Sequence, residues 1–535
     1  GTGSGTGSGT GSGTGRRSSA GICDTANAEI VLSSSVPEDE YPAMSSSQNV
    51  IPIIVSTAPS GRPPDDREDA LYEVRKKIYP RAVAGWFANW RWLFVFATQL
   101  AYYGTPWLTW NDRQAVLLDL TARKFYIFGI VFWPQDFIYL TVLLLICAFS
   151  LFLFTAVAGR LWCGYACPQT VYTEMFLWIE RKIEGDRLRR MKLDQSRLSM
   201  GKFSRKGLKH GLWIALSLWT GFTLVAYFVP ARELFSQALA FTIAPWETFW
   251  IFFYGFATYG NAGWMREQVC KYMCPYARFQ GAMFDRDTLV ITYDDTRGEP
   301  RGSRPRHTGG KSADDKAKGL GDCVDCDICV QVCPTGIDIR HGQQYECIGC
   351  AACIDGCNQV MDKMNYPRGL IRYSTLNALE QHADWPAMLA RVFRPRVLVY
   401  TAILWTIIIA AVITLWNRVP VRVDVIRDRT TLARELAGGQ IENVYRLQVM
   451  NTQERVQRFT VGVRGIDGLS VYSVQQPLEI GPAASKMFAI SLRMEMDAAP
   501  KGISKIEFDV TAVDADGRAA PDMFSLHEKS TFYKP

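Results

Sequence analysis

Between residues 87 and 416 the chain alternates long apolar runs with basic connections. Five runs approach the ~20 residues that a helix needs to cross a bilayer: 87–107, 137–158, 211–229, 246–264 and 397–416. The last, VLVYTAILWTIIIAAVITLW, holds no charge, whereas the first carries Arg91 near one end. FYIFGIVFW (125–133) is apolar but too short to span, so it is expected to lie at the interface or to re-enter. Beyond about residue 420 runs give way to alternation. VYRLQVMN, FTVGVRG, LSVYSV, MFAISLRMEM and SKIEFDVTAVD repeat with period two between Gly, Pro and Asp turns, which predicts an antiparallel, all-β, immunoglobulin-like sandwich. It has no cysteine, and therefore none of the disulfide of antibody domains.

Charge orients this pattern. The connection between the second and third runs, ERKIEGDRLRRMKLDQSRLSMGKFSRKGLKH, carries eleven Lys and Arg, and the connection over 230–245 carries only Arg232. Arg391, Arg394 and Arg396 precede the fifth run. Positive loops stay on the cytoplasmic side, so the expected topology is a cytoplasmic N-terminus, five crossings and an external C-terminal domain. The net charge of +7 sits beside apolar runs, which points to membrane lipid rather than nucleic acid. GTGSGTGSGTGSGTG and the Ser/Pro-rich stretch that follows, to about residue 65, read as low-complexity chain outside the fold, with no cleaved signal peptide.

The fourteen cysteines change the picture further. Eight fall between Cys323 and Cys357, four form two pairs, and Cys23 and Cys147 stand alone. Such clustering marks metal or redox chemistry in a reducing compartment rather than a disulfide framework. The block CVDCDICVQVCPTGIDIRHGQQYECIGCAACIDGC contains Cys-x2-Cys-x2-Cys-x3-Cys twice. In that spacing three thiolates hold one face of a cubane, and the fourth ligates the neighbouring cluster. Cys323, Cys326, Cys329 and Cys357 are thus assigned to one [4Fe–4S] cluster, and Cys347, Cys350, Cys353 and Cys333 to a second. Pro334 follows Cys333 as the pattern expects, while Asn358 departs from it after Cys357. Structural zinc would instead use two separated cysteine pairs.

The remaining pairs, Cys163/Cys167 in LWCGYACPQT and Cys270/Cys274 in QVCKYMCPYA, each close an apolar run with CxxxCP. If the helix continues through each motif, both thiols of a pair share one face, and Pro168 and Pro275 end it just beyond. Arg160 and Arg266 precede the motifs, so the chain repeats a two-span unit, and two such hairpins could bring four thiols together. Plain packing of small apolar side chains, palmitoylation, a dithiol relay and a Cu(I)-thiolate site all fit this pattern. Met175, Met273 and Met283 are candidate extra soft ligands. Only five histidines occur, with only His210 at the edge of a run, which excludes bis-histidine haem. No Gly-rich dinucleotide fingerprint follows a predicted strand, so electrons are expected from another protein or a quinol.

Taken together, these motifs resemble the FixG/RdxA/CcoG family of cytochrome oxidase accessory proteins. The resemblance runs through ARKFYIFGIVFWPQDFIYL, AGRLWCGYACPQTVYTEMFLWIE, CIGCAACIDGCNQVMDKM and PRGLIRYSTLNAL, and covers about residues 65–535. It implies a multi-domain protein of the bacterial inner membrane that reduces Cu(II) to Cu(I) in support of cbb3-type oxidase assembly, with oxidase subunits or copper-assembly factors as partners. The expected plan is a low-complexity 1–65, a membrane domain of four spans over 66–285 and a cytoplasmic two-cluster ferredoxin-like (α+β) domain over 286–375. A linker and fifth span over 376–418 and a periplasmic β-sandwich over 419–535 complete it. Cys163, Cys167, Cys270 and Cys274 become the candidate catalytic copper or thiol relay, with copper as substrate or transient ligand. Met487, Met494 and Met496 are a further candidate copper site in the β-domain. A polyferredoxin feeding another respiratory enzyme and a non-enzymatic scaffold with structural clusters are the alternatives; the electron donor and a homo-oligomeric state are left open.

Overall fold

The structure, a computed structural model, describes residues 77–304, 319–428, 433–472, 476–498, 501–514 and 525–535. The low-complexity stretch read over 1–65 lies outside these residues, as does His307.

Helices form at all five apolar runs, but not with equal character. Phe137–Ala158, prolonged by the turn at Pro134–Asp136, and Pro395–Trp416 are long and apolar enough to cross a membrane. They pack against each other and expose Leu143, Leu144, Phe154, Trp405 and Ile409. The other three differ from simple spans. Trp86–Gly104 buries Arg91. Met200–Val225 begins about eleven residues before the expected run, within its basic approach, where Ser199 caps it by accepting from the Lys202 amide. Pro245–Thr258 is only 14 residues long and passes into π-helical turns over Tyr259–Met265.

The apolar stretch 125–133, too short to span, is extended chain. This segment forms two strands, Lys124–Ile127 and Ile130–Phe132, of a three-stranded antiparallel sheet with Val116–Asp119. Backbone polar groups in so apolar a stretch need partners, and Val116–Asp119 supplies them through the pairs Leu117–Tyr126 and Leu118–Phe125.

The C-terminal domain is the two-sheet sandwich that the alternation predicts. One sheet orders Ser470–Tyr472, Ser485–Glu495, Gln440–Asn451 and Val421–Arg427, with Arg434–Leu436 beside the third of these. The other orders Leu478–Ile480, Gln457–Arg464, Gly502–Val513 and Ser525–Lys534. Tyr445, Leu447, Phe459, Ile490, Phe508 and Phe532 fill the space between them.

This domain is seated on the small sheet. Val131 and Trp133 pack with Met450, and Lys124 donates to the Ala483 carbonyl at 2.9 Å. Asp136, 3% exposed, is paired with Arg418 and, at 3.1 Å, with Arg422. Removing one partner of a buried ion pair leaves the other charge uncompensated. Asp136→Ala is therefore expected to cost about 3 kcal/mol and to speed proteolytic release of the β-domain; cleavage at the wild-type rate would contradict this seating.

Candidate electron-transfer site

The ferredoxin-like region is built on local turns and closed by a non-local strand pair. Val290–Tyr293 pairs with Ile371–Ser374, bracketing the cysteine block. Short helices Ile328–Val332 and Ala352–Met364 follow the first cysteines of each set, entered through left-handed Asp327 and Ala351. The thiolates of Cys329, Cys326 and Cys323 lie within electrostatic reach of Cys357, and those of Cys350, Cys347 and Cys333 within reach of Cys353. Cys329 lies within reach of Cys353 as well, so the eight thiols form one continuous group in which the expected quartets adjoin. A cavity lined by Cys333, Cys347, Cys350 and Cys353 with Ile337, Ile339 and Ile348 lies at the second quartet. Apolar walls around convergent soft thiols fit an iron–sulfur cluster well. Cys326 is exposed, whereas the other seven are buried or half-buried.

Burial, reinforced by neighbouring thiolates, pushes Cys357 up to about 12. Burial likewise takes Cys329 and Cys347 to about 12. Binding a cluster through Cys329, Cys347 and Cys357 would therefore release the protons those thiols carry. Reconstitution of the apo-protein with iron and sulfide is expected to speed up as pH rises from about 7 to about 9, followed by growth of the visible charge-transfer band. A rate that falls over that window would contradict the protonated state.

At both CxxxCP motifs the geometry departs from the expected continuous helix. The apolar helix ends at Ala158, the chain turns through Gly159 at φ +53°, and Leu161–Tyr165 forms a separate short helix. Cys167 is extended and caps a new helix, Pro168–Glu184, with Pro168 in its first turn. The second motif repeats this arrangement. Val269–Met273 is π-helical, Cys274 is extended, and Pro275 opens Pro275–Met283. The prolines start helices instead of ending them. A residue before proline avoids the α region, and proline's fixed φ and missing N–H suit the first turn. The two thiols of a pair are thus not aligned by helical periodicity.

Packing nevertheless brings all four together. Cys270 lies within electrostatic reach of Cys167, Cys163 and Cys274, and burial, reinforced by them, raises it to about 12. Cys163 touches the Gln280 amide, with Sγ 3.3 Å from Nε2. Among the described residues no three His, Cys, Asp or Glu side chains converge closely enough for a single metal ion. Met487 and Met494 do not share a site. Met273 is exposed, and Met494 is buried in the sandwich core, whereas Met487 is exposed about seven residues, or ~23 Å, away on the same strand.

The two cysteine systems meet more tightly than their spacing along the chain suggests. Gly164, between Cys163 and Cys167, lies on the backbone of Gly349 and Cys350; an added Cβ would stand 2.7 Å from the Gly349 oxygen and 2.9 Å from Cys350 Cα. Arg160 donates to the Tyr345 carbonyl, to the Cys347 carbonyl at 3.1 Å, and to the Ala277 carbonyl at 2.7 Å. One guanidinium thus ties the second quartet's loop to the helix that follows Cys274. Arg91 donates to the Cys350 carbonyl at 3.3 Å, and Tyr373 to the Gly349 carbonyl at 2.7 Å. From the ferredoxin side, Asp355 accepts from the Ala88 amide at 2.8 Å and the Phe87 amide at 3.3 Å, capping the first apolar helix. A glycine between two cysteines and an arginine three residues upstream were the available signals, but neither names its partner.

Two ferredoxin-type quartets, a four-thiol cluster against them, apolar helices and a β-sandwich define an iron–sulfur protein of electron transfer. Comparison with known proteins agrees: residues 265–376 match a 4Fe-4S dicluster domain, residues 140–185 a 4Fe-4S binding domain, and residues 411–535 the IG-like fold at the C-terminus of FixG. The chain is 38% identical to the nitrogen fixation protein FixG of Rhizobium meliloti, over 83% of this chain and 92% of that protein. It is 41% identical to the protein RdxA of Cereibacter sphaeroides, over 75% of this chain and 85% of that one. A more distant relative, the ferredoxin-type protein NapH of Haemophilus influenzae, is 25% identical over 42% of this chain and 68% of its own length. The chain belongs to the FixG/RdxA family.

Proposed function

We propose that this protein is a multi-pass inner-membrane oxidoreductase that delivers single electrons from the cytoplasm to Cu(II), supplying Cu(I) for assembly of a cbb3-type oxidase. The carrying observation is the backbone contact of Gly164 with Gly349 and Cys350, which leaves no space between the thiol motif and the second quartet's loop. Cys323, Cys326, Cys329 and Cys357 would hold one [4Fe–4S] cluster, and Cys347, Cys350, Cys353 and Cys333 the other. These clusters, when bound, supply one-electron carriers at low potential.

The chain's own residues do the rest. Exposed Cys326, flanked by exposed Asp325 and Asp327, marks the edge at which a donor protein docks. Arg160, Arg91 and Tyr373 fix the second quartet's loop against the first CxxxCP motif. Cys163, Cys167, Cys270 and Cys274 form the terminal redox centre, at or near which each Cu(II) gains one electron lost by the donor. Soft thiolates favour the Cu(I) product. In this reading the chain crosses five times, the distribution of Lys and Arg supports the basic connection inside, and the periplasmic β-domain faces the oxidase or its assembly factors.

Combining Cys163→Ser, Cys167→Ser, Cys270→Ser and Cys274→Ser tests this directly. The variant is expected to keep its reducible dicluster domain and to lose Cu(I) production, read with a Cu(I)-specific chromophore. Cu(I) formed at the wild-type rate would instead favour a polyferredoxin whose acceptor is another enzyme.

A further inference from the structure

The match of residues 140–185 to a 4Fe-4S binding domain leaves a deficit. That stretch contains Cys147, Cys163 and Cys167 alone. Cys147 sits in mid-helix, about 11 residues or ~16 Å before the helix end, and cannot join the other two. The missing ligands come from elsewhere in the chain.

The two repeats interlock reciprocally. Gln169, two residues after Cys167, donates to the Asn261 carbonyl at 2.9 Å and the Arg266 carbonyl at 3.0 Å, on the approach to Cys270. Conversely, Ala277, three residues after Cys274, accepts from Arg160 on the approach to Cys163. Each helix that begins at the second cysteine of one motif therefore packs on the lead-in to the first cysteine of the other. The two motifs therefore pack on one another, with Cys270 within electrostatic reach of Cys163, Cys167 and Cys274.

The region between them is equipped for a multi-atom anionic cofactor. Gln280 is fully buried, and its amide is directed at Cys163 Sγ. Cys167 and Cys274 each stand at the N-terminus of the helix that follows their motif. Arg160 lies within electrostatic reach of both Cys163 and Cys270.

We propose that Cys163, Cys167, Cys270 and Cys274 together ligate a third iron–sulfur cluster, of the [4Fe–4S] type, between the two repeats. Each thiol exchanges its S–H bond for an S–Fe bond and releases one proton. The inference rests on the electron-transfer reading of the site and is independent of copper as the acceptor.

The test uses the full chain, reconstituted anaerobically with iron and sulfide in lipid nanodiscs. About 12 iron atoms per chain are expected, against about 8 for two clusters. Cys163→Ser with Cys274→Ser should lose about 4 iron and one paramagnetic signal of the reduced protein, whereas Cys147→Ser should lose none. Gln280→Leu keeps every thiol and removes an N–H···S bond, so it should retain about 12 iron and lower the potential of that third signal alone. About 8 iron in the wild type, with a spectrum unchanged in both the cysteine pair variant and Gln280→Leu, would overturn the proposal. Cu(I) production scored on the same samples separates the readings. Cu(I) formed with about 8 iron removes the third cluster only, and about 12 iron without Cu(I) removes copper as acceptor while sustaining the cluster.

Discussion

Gly164→Ala is expected to slow electron delivery from the pre-reduced dicluster domain to Cu(II) by at least about tenfold, because a small displacement between reacting groups is costly. The iron bound by the eight ferredoxin cysteines should be unchanged. A Cβ at 164 would meet the Gly349 oxygen at 2.7 Å, the Gly349 carbonyl carbon at 2.8 Å and Cys350 Cα at 2.9 Å. All three are backbone atoms, held by Arg91 and Tyr373, so no flexible side chain can swing away. The two cysteine systems must separate or the loop must deform. Gly349→Ala should act in the same direction, since Gly349 has φ +69° and its Cβ would meet the Arg160 oxygen at 3.0 Å. Transfer in Gly164→Ala at the wild-type rate would mean that this contact is not on the electron's route.

Glu180→Ala should cause the largest loss of stability, about 3–5 kcal/mol. Glu180 is 1% exposed and pairs with Arg266 at 2.9 Å, Arg190 at 3.2 Å and Lys209 at 3.7 Å. Arg190 and Lys209 are themselves buried, so removing the carboxylate strands like charges beside one another. Arg266 leads into Cys270, so disorder here should reach the second CxxxCP motif as well. Burial alone would raise the Glu180 carboxyl, but the three cations outweigh it and hold it below the usual range. A depressed carboxylate contributes fully above about pH 4.3, its ordinary value, and its contribution is lost as pH falls toward and through the folded value. Acid unfolding of Glu180→Gln should accordingly show a weaker dependence on pH below about 4 than the wild type. Denaturant titration of both variants checks these expectations; equal midpoints would contradict them.

What could be read from the sequence was local in origin. The two cysteine quartets follow from spacing within a few turns, so their groupings were legible before the fold. The sandwich was legible because strands buried on one face must alternate, as Gln440–Asn451 and Gly502–Val513 do. The strand pair within 125–133 was not legible because a short apolar stretch does not declare its secondary structure, and its pairing partner, Val116–Asp119, is set by the fold. Pro168 and Pro275 mark a boundary without saying on which side the helix lies. Convergence of the four CxxxCP thiols was only a possibility in the sequence, because it depends on how Gln169 and Arg160 lock the repeats together. The glycine between Cys163 and Cys167 hinted at a close approach, but nothing local named Gly349 as what it meets.

The central claim, that electrons pass from the ferredoxin-like domain through this contact to copper, is tested most directly by counting. The anaerobic protein is reduced, freed of excess reductant, and mixed with Cu(II) in the presence of a Cu(I)-specific chromophore. Reoxidation of the iron–sulfur absorbance matched one for one by Cu(I) is the expected result. Absorbance that stays reduced beside Cu(II) would contradict the account and make this protein a wire to some other acceptor, or a scaffold.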